Sequence, residues 1–117
     1  MSDYIISFDT GKNLAQTDEG IPYLRTQNVR MIFPTLDDVT YVADTTNIKK
    51  TQIGDLLFVR VGVGVGDCCV IGEAEANSAF SDNVIRIKLK KDVNPYYVAT
   101  YLSTYIGRNL FFKGLKG

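Results

Sequence analysis

The sequence predicts a single α+β domain, in which a bent sheet, mixed or mostly antiparallel, carries a packed helix near its carboxyl end. Three observations support this fold class. The chain has 117 residues, the length of one domain, and 45% of them are apolar, which is enough to form a core. Short apolar runs alternate with turn residues along most of the chain, as is typical of strands. Helical spacing of apolar residues occurs only after Asn94.

The weaker strand signals lie in the first part of the chain. Tyr4 to Phe8 is a short β-like run, and Gly20 to Arg25 is a turn that leads into a strand. We expect residues 28–33 to continue this strand after a bend, and residues 39–42 to form a weak strand. Residues 73–82 contain small and polar residues and are predicted to form a loop.

Three core strands are predicted at residues 55–61, 68–72 and 84–90. Leu56 to Val59 is apolar on both faces, so we expect this strand at the centre of a sheet. The glycine-rich residues 62–66 then form a bend that joins the first two core strands. Residues 84–90 alternate apolar and basic side chains, which predicts a half-exposed strand with its basic face outward.

Asn94 and Pro95 open the predicted helix, which we expect to span residues 95–106. Asn suits the N-cap position, and Pro suits the first helical position because its missing N–H is not needed there. Val98 and Leu102 recur at helical spacing and give the helix one apolar face.

The composition excludes several classes of protein. The chain contains no His, which excludes Ser-His-Asp and Cys-His nucleophiles and any metal site built on His. Cys68 and Cys69 are adjacent and suit no ordinary disulfide, so we expect two buried thiols in a reducing cytosol. The apolar stretches are too short to span a membrane. We therefore expect a cytoplasmic protein without membrane contact.

Two motifs suggest catalysis but lack a required residue. Gly62 to Gly66 resembles a dinucleotide-binding loop, yet the sixth position is Asp67 where the fingerprint needs Gly. Asn94 to Tyr97 resembles the N-P-P-Y motif of amino-methyltransferases, but the second Pro is missing. The acidic pairs, such as Asp37-Asp38, lie in loop-like segments without a neighbouring Lys. We therefore predict no catalytic residue, no metal site and no cofactor.

Charge and local composition favour a binding surface. Residues 1–82 carry 6 basic and 12 acidic side chains, whereas residues 83–117 carry 7 basic side chains and one acidic side chain. A basic end is typical of proteins with a polyanionic partner, although a solvated face has the same composition. Arg25 to Asn28 groups a guanidinium, a hydroxyl and two amides, which are the groups that pair with base edges. The same four residues are also a common turn composition.

Several basic side chains are candidates for phosphate contacts, although each one alone is explained better as a solvated surface charge. They are Lys12, Arg30, Lys49, Lys50, Arg60, Arg108, Lys113 and Lys116.

Four segments, taken in order, resemble the target recognition domain of type I restriction–modification specificity subunits. They are GIPYLRTQNVR, VTYVADT, IGDLLFVRVGVGVGDCCVI and FSDNVIRIKLKKDVNPYYVATYLSTYIGRNLFFKGLKG. Each motif alone is weakly specific, whereas four in this order are much more so. The resemblance covers residues 20–117.

The resemblance implies a non-catalytic domain that gives DNA target specificity to a restriction–modification complex. Its partners would be double-stranded DNA, the methyltransferase subunits, which flip and methylate adenine, and a motor–nuclease subunit. Arg25 to Asn28 match the segment that opens the family's recognition region, and Arg60, Gly62 and Gly66 match its glycine-rich turn. The predicted DNA-binding residues are Lys12, Arg25, Thr26, Gln27, Asn28, Arg30, Arg60, Gly62, Gly66, Arg108, Lys113 and Lys116.

The chain departs from the family pattern because the helical spacer and the second recognition domain are absent. We therefore expect residues 1–117 to be one recognition domain cut before the spacer, a half-subunit that forms a homodimer, or a degenerate remnant of a specificity subunit. The alternative is a small α+β interaction or assembly domain that does not bind nucleic acid. The two functions differ in whether Arg25, Arg60 and the basic carboxyl-terminal residues share one face.

Overall fold

The computed structural model describes residues 5–45, 47–61 and 65–103. In this part of the chain, seven strands form two sheets and precede one α-helix. The elements are β1 (Ile5–Thr10), β2 (Ile21–Leu24), β3 (Thr40–Val42), β4 (Leu56–Val59), β5 (Cys68–Val70), β6 (Ala79–Phe80), β7 (Val84–Leu89) and α1 (Pro95–Ser103). The first sheet is antiparallel, with strand order β1-β7-β4-β5, and the second has the order β3-β2-β6, with β2 parallel to β6. The predicted α+β class is confirmed.

Strand β4 lies at the centre of the first sheet, and all four of its side chains are buried. Leu56 and Phe58 share a core cluster with Val98 and Leu102 of α1. Leu57 and the other side chains of the opposite face share a second cluster with residues of β2 and β6. The strand is apolar on both faces because the helix covers one face and the second sheet covers the other.

The second sheet contains a strand that the sequence did not predict. Ala79–Phe80 lies within the expected loop and pairs in parallel with Tyr23 and Leu24 of β2. Two residues are too few to show the alternation that identifies a strand. The predicted strand at residues 28–33 is also replaced. A 3-10 turn forms at Thr26–Asn28, and Ile32 makes only an isolated bridge to Cys69.

The prediction of an outward basic face on β7 is wrong for Arg86, which is buried. Strand β1 pairs along β7 and brings Asp9 opposite Arg86. The Arg86 Nε–H and Nη2–H groups donate to the two Asp9 carboxylate oxygens at 2.9 and 2.6 Å, and Nη1–H donates to the Lys50 carbonyl at 2.8 Å. The guanidinium also lies 5.1 Å from the Phe80 ring centroid. Arg86 therefore connects both sheets and the loop before β4.

The predicted helix begins at the expected residue. The Asn94 carboxamide oxygen accepts a hydrogen bond from the Tyr96 N–H at 2.9 Å, as an N-cap does. Val98, Ala99 and Leu102 are buried against the first sheet. The structure describes the helix as far as Ser103, and predicted positions 104–106 lie outside the described residues.

Candidate nucleic-acid interface

The pairing of the strands brings several loops to one end of the molecule. Strands β1, β2, β4 and β6 end there, and β5 and β7 begin there. The register shows this arrangement, since Thr10 is opposite Ile85, Val59 is opposite Val84, and Leu24 is next to Phe80. We call this surface the loop end and define it as residues 11–13, 25–30, 60–61, 65–67 and 81–83.

Backbone hydrogen bonds connect the separate segments of the loop end. The Lys12 N–H donates to the Phe80 carbonyl at 3.1 Å, and the Ser81 N–H donates to the Leu24 carbonyl at 3.0 Å. The Arg60 N–H donates to the Asn83 carbonyl at 2.9 Å. A β-carbon on Gly11 would collide with the Phe80 carbonyl, so only glycine allows this close approach. Lys12, Arg25 and Arg60, which are far apart in sequence, therefore lie on one connected surface.

Asn28 has a different role from the predicted base contact, because it is fully buried. Its side-chain oxygen accepts from the Arg25 N–H at 3.1 Å, and its Nδ2 donates to the carbonyls of Thr35 and Asp37 at 2.9 and 3.3 Å. Because backbone groups satisfy both the oxygen and the nitrogen of this amide, Asn28 fixes the conformation of the loop after β2. Asn28 thus positions its neighbours and does not face a ligand.

Arg25 and Gln27 remain partly or fully exposed on the loop that Asn28 holds. Gln27 donates from Nε2 to the Asp38 carbonyl at 3.0 Å, which leaves its side-chain oxygen as an acceptor. The Nε of the half-buried Arg25 is enclosed and has no hydrogen-bond partner among the described residues. A buried donor without an acceptor costs about 1–3 kcal/mol, so this guanidinium contributes less to stability than one whose donors are all satisfied.

The remaining predicted residues fall into three groups. Lys12, Arg30 and Arg60 are exposed at the loop end, and Thr26 is half-buried beside them. Gly66 is buried, with a φ of 95° and its N–H donating to the Val59 carbonyl at 3.1 Å, which makes it a turn residue. Gly62, Arg108, Lys113 and Lys116 lie outside the described residues.

Two further basic candidates do not belong to the loop end. The Lys49 Nζ lies 3.3 Å from an Asp9 carboxylate oxygen, and the Lys50 Nζ lies 2.7 Å from an Asp44 carboxylate oxygen. Both lysines lie in the segment between β3 and β4. This segment joins the end of β3 to the start of β4, and both of these strand ends lie opposite the loop end. Lys49 also lines a small cavity together with Gly11 and Lys12 of the loop end. The ion pairs explain both lysines as structural surface charges.

Sequence reasoning missed Asn83, which is exposed in the turn between β6 and β7. A backbone hydrogen bond from the Arg60 N–H to the Asn83 carbonyl places the two residues next to each other. Amide and guanidinium groups are the usual partners of adenine and guanine. Nothing local marks Asn83, because the pairing of β4 with β7 alone brings it next to Arg60.

The described residues show no catalytic constellation. They contain no group of three or more His, Cys, Asp or Glu side chains able to hold a metal ion. Burial, the largest influence, raises the pKa of Cys69 to about 12, so this thiol is not a nucleophile near neutral pH. No helix in the described ranges is both long enough and apolar enough to cross a membrane.

Comparison with known proteins identifies relatives of this arrangement. No protein-family model matches the chain. The type I restriction enzyme EcoKI specificity subunit of Escherichia coli K12 is 31% identical over 104 residues, which cover 83% of this chain and 22% of that protein. The chain thus spans about a fifth of the length of this curated relative.

Solved structures agree on the fold. The HsdS subunit from Thermoanaerobacter tengcongensis superposes with a TM-score of 0.69 at 15% identity, over 91% of this chain and 26% of that one. A chain from a type I R-M system, solved in a study of complex assembly and conformational transition, gives a TM-score of 0.66 at 17% identity. This match covers 88% of the present chain and 26% of the other. The resemblance predicted from four sequence segments is therefore confirmed, and the chain is a relative of the specificity subunits of type I restriction enzymes.

Proposed function

We propose that this chain is a non-catalytic DNA target recognition domain that contacts double-stranded DNA through its loop end. One observation carries the proposal: the strand ends gather Lys12, Arg25, Gln27 and Arg60 from three separate loops onto one surface. The named relatives are specificity subunits, which supports the same function.

Two kinds of contact are expected at this surface. Arg25 and Gln27 lie on the loop that Asn28 makes rigid, which suits base contacts because these need a fixed geometry. Lys12, Arg30 and Arg60 are exposed and suit phosphate contacts, which need charge but little geometry. The loop end has three exposed side-chain amides, Asn13, Gln27 and Asn83. Gln27 was expected from the sequence, and the structure adds Asn13 and also Asn83, whose carbonyl accepts from the Arg60 N–H.

The charge of the loop end is compatible with a weak duplex binder. Its described residues include four basic side chains, at 12, 25, 30 and 60, and two acidic ones, Asp67 and Asp82. The whole chain has no net charge. Phosphate contacts by these basic side chains predict affinity that falls with added salt, with a slope that scales with the number of phosphates contacted.

We further propose that residues 1–117 act as one recognition domain within a type I restriction–modification complex in the cytoplasm. Its protein partners would be the methyltransferase and motor–nuclease subunits. A second copy of the chain would be a partner if the protein works as a half-subunit. The support is the similarity to specificity subunits, of which this chain spans about a quarter or less.

A selection of bound sequences from random duplexes tests the proposal. We expect the unmodified protein to enrich a short sequence, and Arg25→Ala or Gln27→Ala to relax the preference at one position by about 1–3 kcal/mol. Lys12→Ala should weaken all duplexes alike and reduce the salt slope by about one. If the protein enriches no sequence and its weak binding is insensitive to all three variants, an interaction domain without nucleic-acid binding replaces this proposal.

A further inference from the structure

An open groove of about 400 Å³ lies at the end of the strands opposite the loop end. It is bounded by the first half of β1, the turn before β4, the last part of β7 and the first residue of α1. The strand register places these segments together, since Ile5 is opposite Leu89 and Leu56 is opposite Ile87. The groove and the loop end are thus at opposite ends of the same sheet.

Two exposed isoleucines line this groove. Ile53 is 65% exposed and Ile6 is 64% exposed, and both line the same groove. Exposed apolar side chains that share one surface are more informative than single ones. Ile6 is the extra residue of a β-bulge, because the register passes from Ile5 opposite Leu89 directly to Ser7 opposite Lys88. Bulges at sheet edges redirect side chains and prevent pairing with another strand. The bulge therefore favours binding of a partner through its side chains in the groove and disfavours addition of a partner strand to this edge.

The groove also carries positive charge that the described residues do not neutralise. The Lys88 ammonium group already has partners within the chain, because its Nζ lies 3.1 Å from Asp55 Oδ1 and 2.9 Å from Gln52 Oε1. Lys90 and Lys91 are exposed, line the groove and have no ion pair with any described residue. Two available ammonium groups thus stand beside two exposed isoleucines.

We propose that this groove docks an acidic amphipathic segment of a partner protein. Apolar side chains of the segment would cover Ile6 and Ile53, and its Asp or Glu side chains would face Lys90 and Lys91. Charge complementarity selects an acidic occupant, and the apolar lining selects a protein segment. A nucleic-acid strand fits less well, because the lining offers neither aromatic rings nor arginines on which bases stack.

The position of the groove gives this docking a role that rests on the proposed function. Because the groove lies opposite the loop end, a partner bound there leaves the DNA-contacting loops open. A protein subunit of the restriction–modification complex could therefore hold the domain from behind while the domain contacts DNA.

A labelled designed peptide tests the proposal directly. The probe is a fluorescein-labelled helix with leucines on one face and glutamates on the other, measured by fluorescence anisotropy against the 117-residue chain. Lys90→Gln with Lys91→Gln should weaken binding about tenfold, and Ile53→Ser should weaken it comparably. A matched peptide with Gln for each Glu should bind as weakly to the unmodified protein as the acidic peptide does to the lysine double variant.

A charge-matched control uses Ala15→Glu with Gln16→Glu, which changes the net charge equally at two exposed residues outside the groove. It should leave peptide binding unchanged, and thermal unfolding should show that each variant is folded. Equal weakening by both double variants would overturn the proposal. So would self-association that the lysine variant abolishes, because the occupant would then be a second copy of the chain.

Duplex binding measured on the same variants separates the two proposals. The groove variants should keep the DNA affinity and sequence preference of the unmodified protein. If peptide binding depends on the groove while no duplex is bound, docking stands and the DNA proposal falls. If duplexes are selected but the groove variants do not affect peptide binding, the groove proposal falls alone.

Discussion

Two arginines in this molecule have opposite hydrogen-bond environments. Arg86, on the face of the first sheet, donates from Nε, Nη1 and Nη2 to acceptors within the chain. Arg25, in the loop after β2, keeps a buried Nε with no acceptor among the described residues. An arginine whose donors are satisfied within the chain stabilises the fold, whereas one with an unmet buried donor contributes less to stability. The surroundings of each arginine, and not its residue type, thus determine how much it contributes to the fold.

The groups around the two arginines also differ in charge. Asp9, the main partner of Arg86, also pairs with Lys49, and Asp55 lies 4.0 Å from Arg86 and pairs with Lys88. These charges connect β1, β7 and the segment before β4. Around Arg25, the contacts are between neutral groups, chiefly the Asn28 amide and backbone carbonyls. Paired charges hold the region around Arg86, whereas hydrogen bonds between neutral groups hold the loop that carries Arg25.

The largest expected effect is on stability. Arg86→Ala should lower the free energy of unfolding by about 3 kcal/mol, because it removes the main partner of the partly buried Asp9 and the donor to the Lys50 carbonyl, and leaves Asp9 with Lys49 alone. Arg25→Ala is the matched control and should cost less than about 1 kcal/mol, since it removes a donor that has no partner. Urea unfolding measures both. Equal losses in the two variants would contradict the distinction between the arginines.

An intermediate effect is expected in the pH dependence of stability. Burial raises the pKa of Asp9, but the hydrogen bonds and charges of Arg86 and then Lys49 outweigh it, so this pKa lies below its ordinary value. A lowered folded-state pKa contributes stability above the unfolded pKa of about 3.9 and loses it as pH falls toward the folded pKa. We expect Asp9→Asn to be less stable than the unmodified protein at pH 7 and to approach it below about pH 4. A gap that stays constant from pH 7 to pH 3 would exclude Asp9 as the acid-sensitive partner of Arg86.

The smallest expected effect is on the reactivity of the two buried cysteines, which lie in the core. Cys69 lies on β5 beside Leu57, and burial raises its pKa to about 12. Neither Cys69 nor the buried Cys68 should react with a thiol reagent at pH 8 in the folded protein, whereas both should react in urea. The reagent's absorbance follows the reaction. Rapid labelling of the folded protein would show that the core opens. It would then contradict the fixed hydrogen-bond environments described for Arg86 and Arg25.

The core strands could be predicted from the sequence because their signal is local. Leu56 to Val59 is apolar on both faces, and Asn94-Pro95 is a helix start in any context. The short strand Ala79–Phe80 could not be predicted, since its pairing with β2 joins residues far apart in the chain. Local patterns identify elements that carry their own signal, and they fail where a distant partner determines the structure.

The candidate site followed the same division. Lys12, Arg25, Gln27 and Arg60 were predicted from residue type and family resemblance, and the fold places them at one end. The burial of Arg86 depends on Asp9, 77 residues away, so its alternating pattern suggested an exposed face instead. The sequence predicts Asn28 as a base contact because its carboxamide can pair with a base edge. Its actual role depends on the carbonyls of Thr35 and Asp37, which accept its hydrogen bonds inside the fold.

The central claim is that Arg25 is held for a directional contact with a base. The most direct measurement compares the unmodified protein with Arg25→Lys in selection from random duplexes, with total duplex affinity measured alongside. Lysine keeps the positive charge but not the planar pair of donors that fits guanine. We predict that Arg25→Lys keeps non-specific affinity and its salt dependence, and loses preference at one base position by about 1–3 kcal/mol. An unchanged sequence preference in Arg25→Lys would contradict the claim and make Arg25 one more phosphate contact.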